Sequence, residues 1–346
     1  MPSHIKLMIP GASVSGAPLE VTAPFDDHLL ATVDVADAQA VEQALVTAHT
    51  LFRDRSQWLS KAQRISILSR TAALMSEQRD QLALAAAAEG GKPLIDSRVE
   101  VDRAIDGLHN CVECIRTAAG REIPMDINAA SADRLAMTQH EPIGVVAAVS
   151  AFNHPVNLIV HQVGPAIAAG CPVIIKPAED TPLSCFRFVE LLREAGLPEA
   201  WCQPLVVSEL EVATQLVTDE RVGFFSFIGS ARVGWMLRSQ LAPGARCALE
   251  HGGAAPVIVA ADADLEKALP LLAKGGFYHA GQVCVSVQRV YCHESVARKL
   301  AEALAGQAAA LAVGDPTDAA TGVGPLIRPR EVRRVHEWVT EAIAAG

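Results

Sequence analysis

Apolar positions change their period along the chain, and the change divides it into segments. Over residues 1–35 no helical period is sustained: Pro2, Pro10, Pro18 and Pro24 interrupt it, and Leu29-Leu30-Ala31-Thr32-Val33 reads as a short strand in an extended arm. Asp37 can cap the next helix, in which Val41, Ala44, Leu45 and Ala48 recur at helical spacing. Helical period resumes near Ser56 and runs to Ala88 with one break over 76–80. A further helix follows Pro93, reaches the region of Ala118 and stops at Gly120. The weak period of residues 121–139 predicts a projecting hairpin or a crossover.

From Ile143 the pattern becomes one of short apolar runs alternating with helical stretches. Strands are expected at 145–149, 173–175, 205–207 and 224–227, with helices at 157–169, 182–194 and 209–218 and another beginning at Ser230. Such alternation implies an α/β fold whose mostly parallel sheet is covered on both faces, with binding at the carboxyl ends of its strands. Beyond Glu250 the pattern gives a strand at 256–259, a helix at 265–277, a strand at 288–292, a helix at 294–310 and a last helix from Arg330 to Ala344 or Ala345. No low-complexity linker separates this unit from the first, which predicts extensive contact between them.

Composition narrows the class. With 346 residues, half of them apolar, the chain has room for two packed domains. A net charge of -10, from 29 basic and 39 acidic residues, supplies no broad positive field for nucleic acid. The N-terminus shows no secretory pattern, and the alanine-rich run at 83–88, bounded by Glu89 and Gly90-Gly91, reads as a helix end and not a membrane span. Eight cysteines are too sparse for a disulfide scaffold, so a reducing, cytoplasmic setting is expected. Cys111 and Cys114 form one CxxC, but Leu108, Val112 and Ile115 place it on an apolar helical stripe. No second pair lies near it, so no metal is expected there.

The candidate chemistry gathers at Cys284, in Gly281-Gln282-Val283-Cys284, and at Glu250, which opens Glu250-His251-Gly252-Gly253. A cysteine beside flexible glycines can expose its sulfur and set its backbone N–H next to a substrate oxygen, while a carboxylate can serve as base. Together the two suggest covalent chemistry on an electrophilic carbon.

Further segments extend this pattern: Ser150-Ala151-Phe152-Asn153-His154-Pro155, Val173-Ile174-Ile175-Lys176-Pro177-Ala178-Glu179 and Phe227-Ile228-Gly229-Ser230. In their order and separations, with the two glycine-containing segments, they resemble the NAD(P)-dependent aldehyde dehydrogenase superfamily over essentially the whole chain and the earlier two thirds or so of the usual family length. The resemblance implies a parallel-sheet cofactor domain and a partial α/β catalytic domain. Residues 1–249 would hold the N-terminal helices and the NAD(P)-binding domain, with a projecting segment at 121–142, and residues 250–346 the partial catalytic domain. It implies Cys284 as the nucleophile that forms a thiohemiacetal and then a thioester, Asn153 with the Cys284 backbone N–H as oxyanion donors, and Glu250 as the base for hydrolysis. Lys176 and Glu179 would hold the adenosine ribose, Ser230 would lie near the pyrophosphate and Phe152 near the nicotinamide. Glu179 favours NAD, since a carboxylate repels a ribose 2′-phosphate, with NADP use also open. The partners implied are a small aldehyde and further copies of the chain, as a homodimer or homotetramer.

The chain also departs from the family pattern. His154 stands where an aromatic or apolar residue is common, and His251 where leucine is frequent; each could bind an acidic substrate, tune Glu250 or satisfy a local hydrogen bond. Residues 200–225 lack the usual glycine-rich turn. At Gly346 the chain stops where family members continue, which predicts unpaired strand edges and exposed apolar surface. Three alternatives follow: a truncated homologue that binds cofactor or partners without turnover, a CoA-acylating relative for which Glu250 would be superfluous, and a thiol hydrolase that leaves Lys176, Glu179 and Ser230 without a joint purpose.

Overall fold

The computed structural model describes residues 3–14 and 16–346, so Pro2 lies outside the described residues. The arm folds into a small sheet of β1 (Ser3–Ile5), β2 (Leu19–Thr22) and β3 (Leu29–Val33), with β3 central, parallel to β1 and antiparallel to β2. Only β3 carries a run long and apolar enough to show in the sequence.

Local signals fix the helices that follow. The Asp37 carboxylate accepts from the Ala40 amide at 2.8 Å and starts α1 (Ala38–Arg53). Ser60 and Gln63 form a reciprocal capping box at the head of α2 (Lys61–Glu77). The helix breaks at Gln78, resumes as α3 (Arg79–Gly90), and closes on Gly91, whose φ of 73° suits glycine. After Pro93 comes α4 (Leu94–Thr117), with Leu108, Cys111, Val112 and Ile115 buried on one stripe. Two short antiparallel strands, β4 (Glu122–Ile123) and β5 (Ala136–Met137), make the segment after it a hairpin.

The main sheet is built from β6 (Val145–Val149), β7 (Val173–Lys176), β8 (Cys202–Pro204), β9 (Val222–Ile228) and β10 (Arg246–Glu250), all parallel, in the order β10-β9-β6-β7-β8. Helices α5 (Asn157–Ala169), α6 (Leu183–Glu194), α7 (Leu210–Thr218) and α8 (Ala231–Arg238) alternate with these strands. Alternate strand residues serve opposite faces: Val146, Ala148, Val173 and Ile175 pack with α2, α4, α5 and α6, while Val145, Ala147 and Ile174 pack with α1 and α7.

Two features of this sheet differ from the sequence expectation. The strand expected at 205–207 lies three residues earlier, at Cys202–Pro204, where β8 is the sheet edge and tolerates proline. The apolar run 205–207 is buried all the same, with Val206 forming a single bridge to Val35 beside the arm. The other edge, β10, was not expected as a strand, because Arg246-Cys247-Ala248-Leu249-Glu250 begins and ends on a charge and holds no β-branched residue. Its register, Arg246 opposite Phe224 through Glu250 opposite Ile228, sets Glu250 at the carboxyl end of the sheet.

Beyond it, β11 (Pro256–Val259) pairs in parallel with β12 (Arg289–Cys292), connected through α9 (Leu265–Phe277) and followed by α10 (Glu294–Ala309). Val259, Leu272 and Leu300 form the core of this unit. The last helix, α11 (Pro329–Ala345), has no buried residue. Among the described residues, no helix is long and apolar enough to cross a membrane.

Candidate active site

The carboxyl ends of β6, β7, β9 and β10 open onto a cleft of about 1930 Å³. All seven residues singled out from the sequence, Phe152, Asn153, Lys176, Glu179, Ser230, Glu250 and Cys284, line it. Parallel register explains the convergence: Phe152 and Asn153 follow β6, Lys176 ends β7, Ser230 follows β9, and Glu250 ends β10.

Cys284 comes from the second sheet unit and is exposed in the cleft. It follows a 3₁₀ turn, Tyr278–Gly281, in which His279 and Ala280 hold φ of 48° and 54°, a conformation that L side chains seldom adopt. Gln282 fixes this loop: its Nε2 donates to the His279 carbonyl at 3.2 Å, and its Oε1 accepts from the Ile327 amide at 3.0 Å. Asn153 Nδ2 donates to the Gln282 carbonyl at 2.8 Å, tying the end of β6 to the Cys284 loop. An amide nitrogen carries two hydrogens, so one remains for a ligand. Gly253 approaches from the Glu250 side so closely that a Cβ there would lie 2.7 Å from the Cys284 carbonyl oxygen. Gln288 Nε2 closes the contact by donating to the Gly253 carbonyl at 2.9 Å. The three segments therefore meet through backbone contacts and not merely through a shared opening.

Behind Asn153 lies a buried polar layer that sequence reasoning missed. Glu100 of α4 is 1% exposed and accepts from the Val156 and Asn157 amides at 2.8 and 2.9 Å, capping α5 from a distant helix. Its other oxygen pairs with Lys92, and Lys92 Nζ also donates to the Asn153 carbonyl at 3.2 Å. Glu89 does for α6 what Glu100 does for α5, accepting from the Leu183 and Ser184 amides and the Ser184 hydroxyl. Burial pushes the Glu89 carboxyl up to about 7, against those hydrogen bonds. In the sequence these residues look like ordinary surface charges; only the packing of α3, α4 and the turn between them against α5 and α6 takes them inside.

The histidines depart from simple charge recognition. His154 stacks on Tyr278 at 6.0 Å, and burial pushes its pKa down to about 4. His279 is fully buried with both ring nitrogens unpartnered among the described residues, and burial holds it well below the ordinary value. His251 turns edge-on to Phe227 and Trp235 at 6.1 and 5.5 Å, and its Nε2 is buried with no hydrogen-bond partner among the described residues. Its ring fills the space above Gly234 of α8, so a local hydrogen bond through Nε2 does not account for it.

On the sheet side of the cleft, Lys176 Nζ donates to Glu179 at 2.9 Å, so the two residues expected to hold a ribose meet each other. Ser230 caps α8 by accepting from the Val233 amide at 3.4 Å. No group of three or more potential metal-ligating side chains occurs among the described residues.

The aldehyde dehydrogenase family profile matches residues 12–346. This chain belongs to the aldehyde dehydrogenase family. At family level it is an NAD(P)-dependent aldehyde dehydrogenase. It is 38% identical over 328 residues to a 3-sulfolactaldehyde dehydrogenase of Priestia aryabhattai, a match spanning 95% of this chain and 68% of the relative. It is 33% identical over 344 residues to a lactaldehyde dehydrogenase of Methanocaldococcus jannaschii, spanning 98% and 73%. Its fold matches the crystal structure of aldehyde dehydrogenase 21 from Physcomitrella patens, in complex with the reaction product succinate, with a TM-score of 0.94 at 32% identity over 100% of this chain and 72% of that one. The likeness to this aldehyde dehydrogenase fold covers all four sheets described above.

Proposed function

We propose that this chain oxidises an aldehyde to a carboxylate through a covalent thioester on Cys284, with Asn153 and Glu250 as the partners of that cysteine. The tether from Asn153 to the Cys284 loop carries this reading, since it brings an amide donor from one sheet unit to the nucleophile of the other. The Cys284 thiolate adds to the aldehyde carbon. The oxygen that gains charge is stabilised by the free Asn153 N–H and the Cys284 backbone N–H. A nicotinamide supplies the hydride acceptor when bound. Collapse of the tetrahedral centre with loss of its hydrogen as hydride leaves a thioester on Cys284, and Glu250 takes a proton from the water that hydrolyses it, which frees the carboxylate and the Cys284 thiolate.

The donor set around the sheet fits a dinucleotide. Lys176 is 8% exposed and held at a strand end by Glu179, whose carboxylate would accept from ribose hydroxyls and favour NAD over NADP. Ser230 and the first turn of α8 would face phosphate, and Phe152 the nicotinamide. Residues 1–249 would thus carry the cofactor and 250–346 the nucleophile, in a homodimer or homotetramer. The test is growth of reduced-cofactor absorbance across an aldehyde panel with this 346-residue chain. Aldehyde-dependent growth that disappears in Cys284→Ala is the expected result, and absence of turnover by folded protein across the panel overturns it. Glu250→Gln should accumulate acyl-enzyme, a mass shift on Cys284 that a thioester released to CoA instead of water would not need Glu250 to remove.

A further inference from the structure

Arg103 is the cleft's unclaimed cation. Every other lysine or arginine lining the cleft is held by a carboxylate or a backbone carbonyl, whereas Arg103 makes no hydrogen bond or ion pair with the described residues. The carboxylates nearest it on α4 are engaged elsewhere: Glu100 with Lys92 and the head of α5, Asp102 with Arg79, Asp106 with Asn110 and Asp96 with Lys274. Arg103 sits one turn beyond Glu100, whose carboxylate caps the helix that follows Asn153, and it lines the cleft. Gly107, one turn further, faces the His161 ring, which a Cβ at that position would meet at an ordinary contact distance of 3.7 Å. Tyr278 and His154 complete the wall next to the Cys284 loop, and both feel the Arg103 charge.

The histidines of this wall are held below their ordinary pKa values by burial, His154 to about 4, so near neutral pH they offer ring nitrogens and no charge. The fixed charge is the guanidinium, whose planar fork matches a carboxylate or sulfonate.

We propose that Arg103 anchors an anionic group on the substrate, so that this chain takes an aldehyde carrying a carboxylate or sulfonate, with Gly107 and His161 shaping the subsite. The proposal rests on Cys284 being the nucleophile.

The test compares succinate semialdehyde and sulfoacetaldehyde with neutral butanal in the parent, Arg103→Gln and Arg103→Lys. For the preferred anionic aldehyde, Arg103→Gln should lower kcat/KM relative to butanal by about tenfold or more, mainly through KM, and Arg103→Lys should restore part of it. The two anionic arms tell carboxylate from sulfonate. An anion preference that is absent, or unchanged in Arg103→Gln, overturns the subsite while leaving the dehydrogenase reading in place. A second measurement does not need turnover: alkylation of Cys284 by iodoacetamide, followed by peptide mass, with succinate or its diamide present. Protection by succinate alone, lost in Arg103→Gln, supports the subsite even if no aldehyde turns over. Equal protection by both compounds, or none, overturns it.

Discussion

At the scale of single residues, the geometry around Cys284 makes separable demands. Removing the Asn153 amide deletes both an oxyanion donor and the tether to Gln282. Asn153→Ala should therefore lower kcat by about a hundredfold or more, as loss of one such donor does. A steady-state comparison checks this, and a change confined to KM would count against the oxyanion role. His154 makes a different prediction. Its folded pKa, about 4, lies below the ordinary value of 6.5, so between those values the unfolded chain binds more protons than the folded one. Its contribution to stability is present above the ordinary value and is lost as pH falls through the folded one. His154→Phe keeps an aromatic ring against Tyr278 and removes the titration. Its melting temperature should decline less than the parent's between about pH 7 and about pH 5. Equal declines in calorimetry would assign the acid sensitivity elsewhere, with His279 the next candidate. Cys284 and Glu250 were legible in the sequence because a glycine stands within three residues of each. Glu89 and Glu100 on helices and Lys92 in the turn between them were not, because a charged residue gives no local sign that a distant helix will bury it.

At the scale of elements, two helices owe their placement to groups outside them. The head of α5 is capped by Glu100 and not by its own N-cap residue, Val156, which offers no side-chain acceptor. Breaking the buried Lys92–Glu100 pair leaves an ammonium without its partner, and Glu100→Ala should destabilise the fold by about 3–5 kcal/mol in denaturant titration. The double variant Lys92→Met, Glu100→Leu should recover part of that loss, since no buried charge then remains. Helix α8 meets β9 and the residue just after β10 through Gly234, which accommodates the Phe227 and His251 rings. A Cβ there must displace one of them, so Gly234→Ala should weaken cofactor binding more than it lowers the melting temperature of the sheet core. Gly234→Ala combined with His251→Leu tests whether the histidine ring is the obstacle: restored affinity in a fluorescence titration is expected. The order of elements was legible from periodicity, down to the limits of α5 and α9. Edge elements were not: β8 has only three residues and β10 carries a charge at each end, and pairing with β7 and β9 makes them strands.

At the scale of the whole molecule, apolar surface is left open on the second sheet unit and the last helix. Ile258 is 85% exposed, Leu271 73% and Ile343 76%. Apolar surface of this kind promotes association. The chain should bind a hydrophobic dye and grow in mass with concentration in light scattering. Ile258→Lys with Ile343→Glu should reduce both signals, and unchanged values would show that this surface drives neither. By itself the sequence determined the alternation of strands and helices, the parallel sheet it requires and the identity of the residues close to glycines, because periodicity and backbone permissiveness are local properties. Tertiary structure decided what those residues meet. It joined Asn153 to the Cys284 loop, buried Glu100 beneath the site and left Arg103 without a partner among the described residues. Each outcome depends on contacts between segments far apart in the chain, and no local pattern encodes which of two charges will be enclosed and which will face the cleft.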